Sequence, residues 1–398
     1  KDTGIKQGLL PPLRRAKIIW YLIKANNTSI FRDSNTTNIM SLIIGVLKEN
    51  KDKRVAITPD NVKRSKIKDA TWWIETGAGS EAGFNDAMYV GLAQTKSREA
   101  ILKEANIIVT IFPPGETDLA QIHGEALLIS QFRPYQDETV NGKLAQYPFK
   151  SLSMDMIPRT TLAQAMDVLS SMASIAGYKA VLLAAQNLPR YFPMMITSAG
   201  SIRPAKVLVI GAGVAGLQAI ATSRKLGAIV EAFGVRSAAK EEVQSLGAKF
   251  VEVAGATDDK GAGGYAVQQS EEYLARQRAE VQARASKADV IICTAQVRGR
   301  KAPVLIEADT IQHMRHGSVI VDLAASTGGN CALTENDKTI KVNGVTIIGN
   351  SSLECEMPED ASQMYGNNIL NLMTHITKEG QLNLRMEDEI VKGSLIKP

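Results

Sequence analysis

The sequence predicts an α/β fold: two Rossmann-like, doubly wound parallel-sheet domains with a cleft between them, preceded by an N-terminal arm. Two observations carry this prediction. Short apolar runs that suit buried strands alternate with helical stretches along most of the chain, and one run leads directly into a glycine-rich turn. The 398 residues are enough for two or three domains.

Changes in composition set the expected domain organisation. Residues 1–41 are basic, begin without methionine and end in a polar, turn-rich stretch, so we expect a linker or arm of a fragment or processed chain. This arm either packs on its own domain or docks on a partner subunit or neighbouring domain. We expect residues 42–163 and 362–398 to form the first α/β domain and residues 164–361 the second, nucleotide-binding one.

Individual elements follow from the same pattern. Strands of the first domain are predicted at 43–47, 72–75, 107–112, 126–130 and 151–154, and strands of the second at 207–210, 228–233, 249–253, 290–294, 319–323 and 345–348. A helix over 162–187 is expected to cross between the domains, and a helix over 361–377 to return to the first domain. Six strands with intervening helices match the doubly wound count.

Bulk composition excludes several classes of function. The net charge of +5 is mild and spread along the chain, so it does not indicate nucleic-acid binding. Three cysteines without a C-x-x-C pair indicate a reducing compartment rather than a disulfide scaffold. Four scattered histidines predict no metal site. We find no apolar run long enough to span a bilayer and expect a soluble domain.

The most informative motif is the turn that follows the predicted strand 207–210. Gly211, Gly213 and Gly216 form a G-x-G-x-x-G pattern, in which they respectively permit a tight turn, close approach of a pyrophosphate and close helix packing. Val214 and Ala215 would open the helix, whose free N–H groups and dipole attract a phosphate. The strand–turn–helix context therefore predicts a dinucleotide site, against the alternative of a glycine-rich turn without ligand.

A second motif is a polar patch at the start of the long predicted helix. Its members are Arg159, Gln164, Asp167 and Ser170. Asp167 lies three residues from both Gln164 and Ser170, so these side chains share one helix face. Such a patch could hydrogen-bond the amide and ribose of a nicotinamide, or it could serve only as a helix cap and polar surface.

These motifs resemble the NAD(H)-binding domain I of proton-translocating nicotinamide nucleotide transhydrogenase. The similarity covers about residues 42–397 and includes four further stretches: 191–197, 262–265, 322–324 and 328–331. It implies that Arg159, Gln164, Asp167 and Ser170 are the catalytic contacts to the nicotinamide. It also implies cofactor-binding roles for Gly211, Gly213, Val214, Ala215, Gly216, Gly234, Val235, Arg236, Gly264, Tyr265, Gln277 and Gln296. Tyr265 would belong to a mobile loop that closes over the site.

One position departs from the dinucleotide pattern. An acidic residue that binds the adenosine 2′-hydroxyl normally ends the second strand of such a fold, but this chain has Gly234 there. We therefore expect weaker NAD(H) binding than in relatives that carry the acid. Arg236, two residues later, leaves open a preference for a 2′-phosphate.

The resemblance also implies the reaction and its partners. NADH would bind here and pass its hydride to NADP⁺ held on a separate NADP-binding domain, with a membrane domain coupling the reaction to proton movement. The chain would form a homodimer on the matrix or cytosolic face of a mitochondrion-related inner membrane or a bacterial plasma membrane.

Two alternatives remain open. One is an amino-acid dehydrogenase of the alanine type, which needs a Lys and a His after two first-domain strands. The chain reads Val109-Thr110-Ile111 and Ser130-Gln-Phe-Arg-Pro134 at those places, without either residue. The other is a nucleotide-binding homologue that has lost catalysis.

Overall fold

A computed structural model of the chain describes residues 41–234, 238–252, 271–296 and 298–396. Leu42–Pro398 form one compact unit, separate from Lys1–Ser41. The predicted arm therefore lies outside the described residues except for Ser41. Val235, Arg236, Gly264 and Tyr265 also lie outside them.

Strands and helices alternate along the described chain. The strands are β1 (Leu42–Val46), β2 (Ala70–Glu75), β3 (Gln94–Lys96), β4 (Ile107–Val109), β5 (Leu127–Ser130), β6 (Lys150–Ser153), β7 (Met195–Thr197), β8 (Gly200–Ile202), β9 (Lys206–Ile210), β10 (Ile229–Phe233), β11 (Lys249–Phe250), β12 (Val290–Cys293), β13 (Val319–Asp322), β14 (Lys338–Val342), β15 (Val345–Gly349), β16 (Thr377–Lys378), β17 (Gln381–Leu382) and β18 (Leu395–Ile396). The α-helices are α1 (Pro59–Arg64), α2 (Arg98–Glu104), α3 (Glu116–Leu119), α4 (Val140–Ala145), α5 (Val168–Asn187), α6 (Val214–Lys225), α7 (Ala238–Ser245), α8 (Glu271–Ala285), α9 (Ala308–Gln312), α10 (Pro358–Ile376) and α11 (Glu389–Ser394). Short 3₁₀ turns include Gln164–Met166 and Leu353–Glu356.

Two mainly parallel sheets organise the compact unit. The first has the order β18-β6-β5-β4-β1-β2-β3, and only β18 runs antiparallel to its neighbour. The second has the order β11-β10-β9-β12-β13-β15-β14. Without its antiparallel edge strand β14, this is the doubly wound order 3-2-1-4-5-6. The predicted fold of two Rossmann-like sheets is confirmed.

The edge strand β14 was not predicted. Its sequence, Lys-Thr-Ile-Lys-Val, has no buried residue and pairs with β15 alone. An edge strand that buries so little lacks the continuous apolar run by which buried strands are recognised.

Helix α5 is shorter than expected. It begins at Val168 rather than at 162, because Asp167 caps its N-terminus in an extended conformation and Gln164–Met166 is a separate 3₁₀ turn. Met172 and Ile175 pack in a core of the first sheet, whereas Ala180 and Ala184 pack in a core of the second. Helix α5 therefore connects the two cores.

The same helix corrects the expectation that no segment could span a bilayer. By length and composition alone, α5 is apolar enough to cross a membrane. Because its buried residues belong to the two cores, we interpret it as a core helix.

The C-terminal segment packs against the first sheet. Ala361, Tyr365 and Ile369 of α10 belong to the same core as β1 and β4, and β18 extends that sheet beside β6. The chain therefore leaves the first sheet after β6, forms the second sheet and returns to the first.

Candidate functional site

A cleft lies between the two sheets. Its volume is about 740 Å³, and residues that follow strands of both sheets line it. Thr294 after β12, Leu323 after β13 and Ser351 after β15 contribute from the second sheet, while Gln131 after β5 contributes from the first. The carboxyl ends of parallel strands are where open α/β sheets bind ligands.

The glycine-rich turn lies at this cleft, where Gly213, Val214 and Ala215 form part of the wall. Gly213 is the N-cap of α6 and makes no side-chain capping bond, so the first N–H groups of the helix remain available to an anion. A Cβ on Gly213 would have no atom within 4 Å. The free space and the free donors together suit a phosphate.

The other two glycines of the motif shape the turn itself. Gly211 has a φ of +101°, which L side chains rarely adopt. A Cβ on Gly216 would lie 1.9 Å from the Gly211 carbonyl oxygen, so only glycine allows α6 to start this close to the strand. Neither residue lines the cleft, and their contribution is geometric.

A third glycine, which the sequence did not single out, completes this arrangement. Gly177 lies in the middle of α5, and a Cβ there would come within 2.1 Å of the Ala215 carbonyl oxygen. Its missing side chain lets α5 approach the first turn of α6. No sequence pattern pairs a glycine in one helix with a carbonyl 38 residues later.

The polar loop before α5 reaches the cleft at two of its four predicted residues. Arg159, which is exposed, and Ser170, which is half-buried, line the cavity. Asp167 accepts hydrogen bonds from the Ser170 backbone N at 3.0 Å and from Ser170 Oγ at 2.6 Å. Asp167 therefore caps α5 and orients Ser170, while Gln164 is exposed on its 3₁₀ turn and lies outside the lining.

Other predicted cofactor contacts are dispersed. Gln296 lines the cleft and donates from Nε2 to the Leu323 carbonyl oxygen at 2.8 Å. Gln277 is half-buried on α8 and does not line the cleft. Gly234 follows β10, away from the lining, whereas Val235, Arg236, Gly264 and Tyr265 fall outside the described residues.

Cationic side chains dominate the described part of the cleft wall. Two acidic residues, Asp155 and Glu354, stand against six cations: Arg54, Arg133, Arg159, Arg298, Arg300 and Lys301. The excess of positive charge favours an anionic ligand such as a dinucleotide. Sequence reasoning found only Arg159, since the others are dispersed in the chain and meet only in the fold.

Arg54 is the most deeply placed of these cations. It is 1% exposed and forms a bidentate pair with Asp52, with Nη2 2.6 Å from Oδ2 and Nε 3.0 Å from Oδ1. Its Nη1 lies 3.0 Å from the Met172 sulfur on α5 and 3.9 Å from Glu354 Oε1. Burial raises the pKa of Glu354, although Arg54 opposes that shift. This pair fixes the first-domain wall against α5.

The cleft lacks the usual groups for proton transfer to an amino or hydroxy acid. Thr110, which follows β4, is 2% exposed, and Gln131 follows β5. None of the residues described as lining the cleft is a histidine. His123 contacts the Ala105 carbonyl oxygen, His313 the Asp309 carbonyl oxygen, and His375 the Asp388 carboxylate.

Comparison with protein families places both halves of the chain in one group. The family model for the alanine dehydrogenase/PNT N-terminal domain matches residues 45–176, and the model for the alanine dehydrogenase/PNT C-terminal domain matches residues 180–397.

Individual relatives point to one branch of this group. The chain is 42% identical over 352 residues to the NAD(P) transhydrogenase subunit alpha of Cereibacter sphaeroides, covering 87% of this chain and 67% of that one. In Rhodospirillum rubrum the similar protein is the first portion of a divided NAD(P) transhydrogenase subunit alpha. It is 38% identical over 370 residues, covering 89% of this chain and 95% of the relative.

Solved structures give the same order of similarity. The transhydrogenase from Sinorhizobium meliloti superimposes with a TM-score of 0.82 at 37% identity, covering 89% of this chain and 98% of that one. An L-alanine dehydrogenase is more distant, with a TM-score of 0.72 at 25% identity and coverage of 88% and 94%.

Proposed function

The chain belongs to the alanine dehydrogenase/PNT family and, within it, to the alpha subunits of NAD(P) transhydrogenase, and from this premise we propose that it takes up NADH and delivers its hydride to NADP⁺ on a separate domain. It is an oxidoreductase component that binds NAD(H), while a partner domain handles NADP(H). The reverse transfer uses the same site.

One observation carries the proposal: the cleft combines a phosphate cradle with a wall that lacks an acid–base residue of the dehydrogenase kind. The N-terminus of α6 and the glycine-rich turn are open to an anion, and described cations surround them. Oxidising an amino acid needs a general base, whereas hydride transfer between two nicotinamides needs mainly positioning.

The residues divide the work between the two ends of the nucleotide. Backbone N–H groups of Val214 and Ala215 are oriented to hold the pyrophosphate, because α6 begins there without a side-chain cap. Arg159 and Ser170 lie where they can hydrogen-bond the nicotinamide end, and Asp167 fixes the orientation of Ser170. The bound dinucleotide supplies the hydride, and the protein supplies orientation.

Reconstitution tests this function. We would measure reduction of thio-NADP⁺ by NADH with the chain alone and after adding a purified NADP-binding domain from a related transhydrogenase. Negligible activity alone and clear activity in the mixture are expected, and Arg159→Ala should reduce the latter. Arg64→Ala, on an exposed ion pair of α1, is the matched control. No gain in activity from a competent partner domain would contradict the proposal.

The same assay separates the alternatives. Turnover of NAD⁺ with alanine would indicate an alanine-type dehydrogenase, and failure to bind any dinucleotide would indicate an inactive homologue.

We propose that residues 42–163 and 362–398 act as one domain and residues 164–361 as the NAD(H)-binding domain. The relatives are named as an alpha subunit or as a portion of one, which indicates a multi-subunit enzyme. We further propose that the partners are the NADP-binding domain and a proton-translocating membrane domain. The complex would lie on the matrix or cytosolic face of an organellar inner membrane or bacterial plasma membrane.

We also propose a homodimer, formed through the hairpin β7–β8. Ile196 is 74% exposed and Met194 60% exposed, and Tyr191 and Ile202 add further exposed apolar surface. Exposed apolar groups clustered on one hairpin are typical of a protein interface. Ile196→Asp should give a monomer in sedimentation velocity, whereas Val90→Asp, at an equally exposed site elsewhere, should remain dimeric.

A further inference from the structure

The position of Gly234 bears on which dinucleotide this cleft accepts. Strand β10 ends at Phe233, whose carbonyl oxygen accepts a bond from the Gly211 N–H at 2.8 Å. Gly234 thus begins directly beside the glycine-rich turn. A Cβ on Gly234 would lie 3.1 Å from the Ala212 Cβ and 3.5 Å from the Phe250 ring. In this fold, a side chain at that place meets the adenosine ribose.

The nearest carboxylate on β10 cannot replace the missing acid. Glu231 lies three residues before Gly234, about 10 Å upstream at the usual rise of a strand. Its Oε1 is 2.6 Å from Arg284 Nη1 and 3.9 Å from Lys249 Nζ. This carboxylate is therefore bound by two cations and held away from the turn.

A cation lies at the end of the neighbouring strand instead. Ala232 pairs with Phe250 across the parallel strands β10 and β11, so Gly234 and Glu252 each follow that pair by two residues. Glu252 forms an ion pair with Lys240 of α7. The Lys240 side chain is 45% exposed and can turn from Glu252 to another anion.

We propose that the adenosine end of this site accepts a 2′-phosphate, so that the cleft binds NADP(H) as well as NAD(H), with Lys240 as the cation for the phosphate. This inference rests on the proposed function, since it presumes that a dinucleotide binds at the glycine-rich turn. Gly234 removes the carboxylate that would repel a 2′-phosphate, and Lys240 supplies an opposite charge near the ribose. The hydride-donating site would therefore not discriminate strictly between the two nucleotides.

Calorimetric titration with NADH and NADPH tests this inference. The two dissociation constants should agree within about tenfold, which corresponds to about 1.4 kcal/mol. Adenosine 2′,5′-bisphosphate should compete with NADH better than 5′-AMP does. Gly234→Asp should lower the affinity ratio of NADPH to NADH by about tenfold or more, because its carboxylate binds the free ribose hydroxyl and repels the phosphate.

Lys240→Gln provides a second variant in case Gly234→Asp fails to fold, and it should lower the same ratio. Arg64→Gln, on a distant exposed ion pair, should leave the ratio as it is in the unaltered chain. If NADH binds and NADPH is excluded, or if both site variants leave the ratio unchanged, this inference is overturned and the proposed function stands. Binding of neither dinucleotide would overturn both.

Discussion

Arg298 and Tyr135 meet across the cleft. The Arg298 guanidinium carbon lies 5.0 Å from the centroid of the Tyr135 ring, and Nη1 lies 3.4 Å from the Tyr135 hydroxyl oxygen. Tyr135 belongs to the loop after β5 of the first sheet, and Arg298 to the loop after β12 of the second. The adjacent Gly299 would place a Cβ 3.3 Å from the Tyr135 Cβ, so the two loops are in close contact.

This contact predicts an effect on cofactor affinity. Tyr135→Ala should weaken NADH binding by about two- to fivefold, since an exposed cation–π pair contributes about 0.5–1 kcal/mol to holding the loops together. Tyr135→Phe keeps the ring and should bind NADH nearly as the unaltered chain does. Calorimetry measures both constants, and equal losses in the two variants would argue that the ring stacking is irrelevant.

The glycine-rich turn separates ligand binding from folding. Gly213→Ala should weaken NADH binding without lowering the melting temperature, because its Cβ meets no protein atom within 4 Å and enters the space of the pyrophosphate. Gly216→Ala should lower both, because its Cβ would lie 1.9 Å from a carbonyl oxygen. Thermal melts and NADH titrations of the two variants check this contrast. A Gly213→Ala protein that binds NADH normally would refute the proposed position of the phosphate.

Asp167 combines a cap with the proposed nicotinamide contact. Asp167→Ala should cost about 1 kcal/mol of stability through loss of the N-cap of α5, whereas Asp167→Asn should retain the cap. Both variants should slow hydride transfer in the reconstituted assay, because neither holds Ser170 Oγ through a carboxylate. Full activity of Asp167→Asn would show that Asp167 serves the helix alone.

Glu49 makes stability depend on pH. Its carboxylate is 8% exposed and accepts bonds from the Ile111 and Phe112 backbone N–H groups at 2.7 and 3.1 Å. Burial outweighs these bonds and raises the pKa of Glu49 to about 7, from an ordinary value of 4.5. The protonated form therefore stabilises the fold below about pH 4.5, and this contribution is lost as pH rises through 7.

Glu49→Gln should remove that dependence. Between pH 5 and 8, the difference in the free energy of unfolding between variant and unaltered chain should shift in favour of the variant by up to about 3 kcal/mol. Urea unfolding at several pH values gives this difference. A difference that is constant across the range would contradict the raised pKa.

The sequence predicted the second sheet well because its central strands are buried on both faces. Val207–Ile210 and Val319–Val321 form continuous apolar runs, and the glycine spacing marks the turn that follows the first run. It predicted helix ends less well. The apolar pattern before α5 continues into residues 162–167, but the capping geometry of Asp167 breaks the helix there.

What the sequence by itself determined is the local part of the site: strand, turn and helix N-terminus lie within a dozen consecutive residues, so spacing alone specifies them. The tertiary structure decided which distant groups meet that turn. Arg54, Arg298 and Gly177 come from separate elements, and no local pattern records their proximity. Their roles depend on burial, charge and close approach, which exist only once the two sheets have packed around α5.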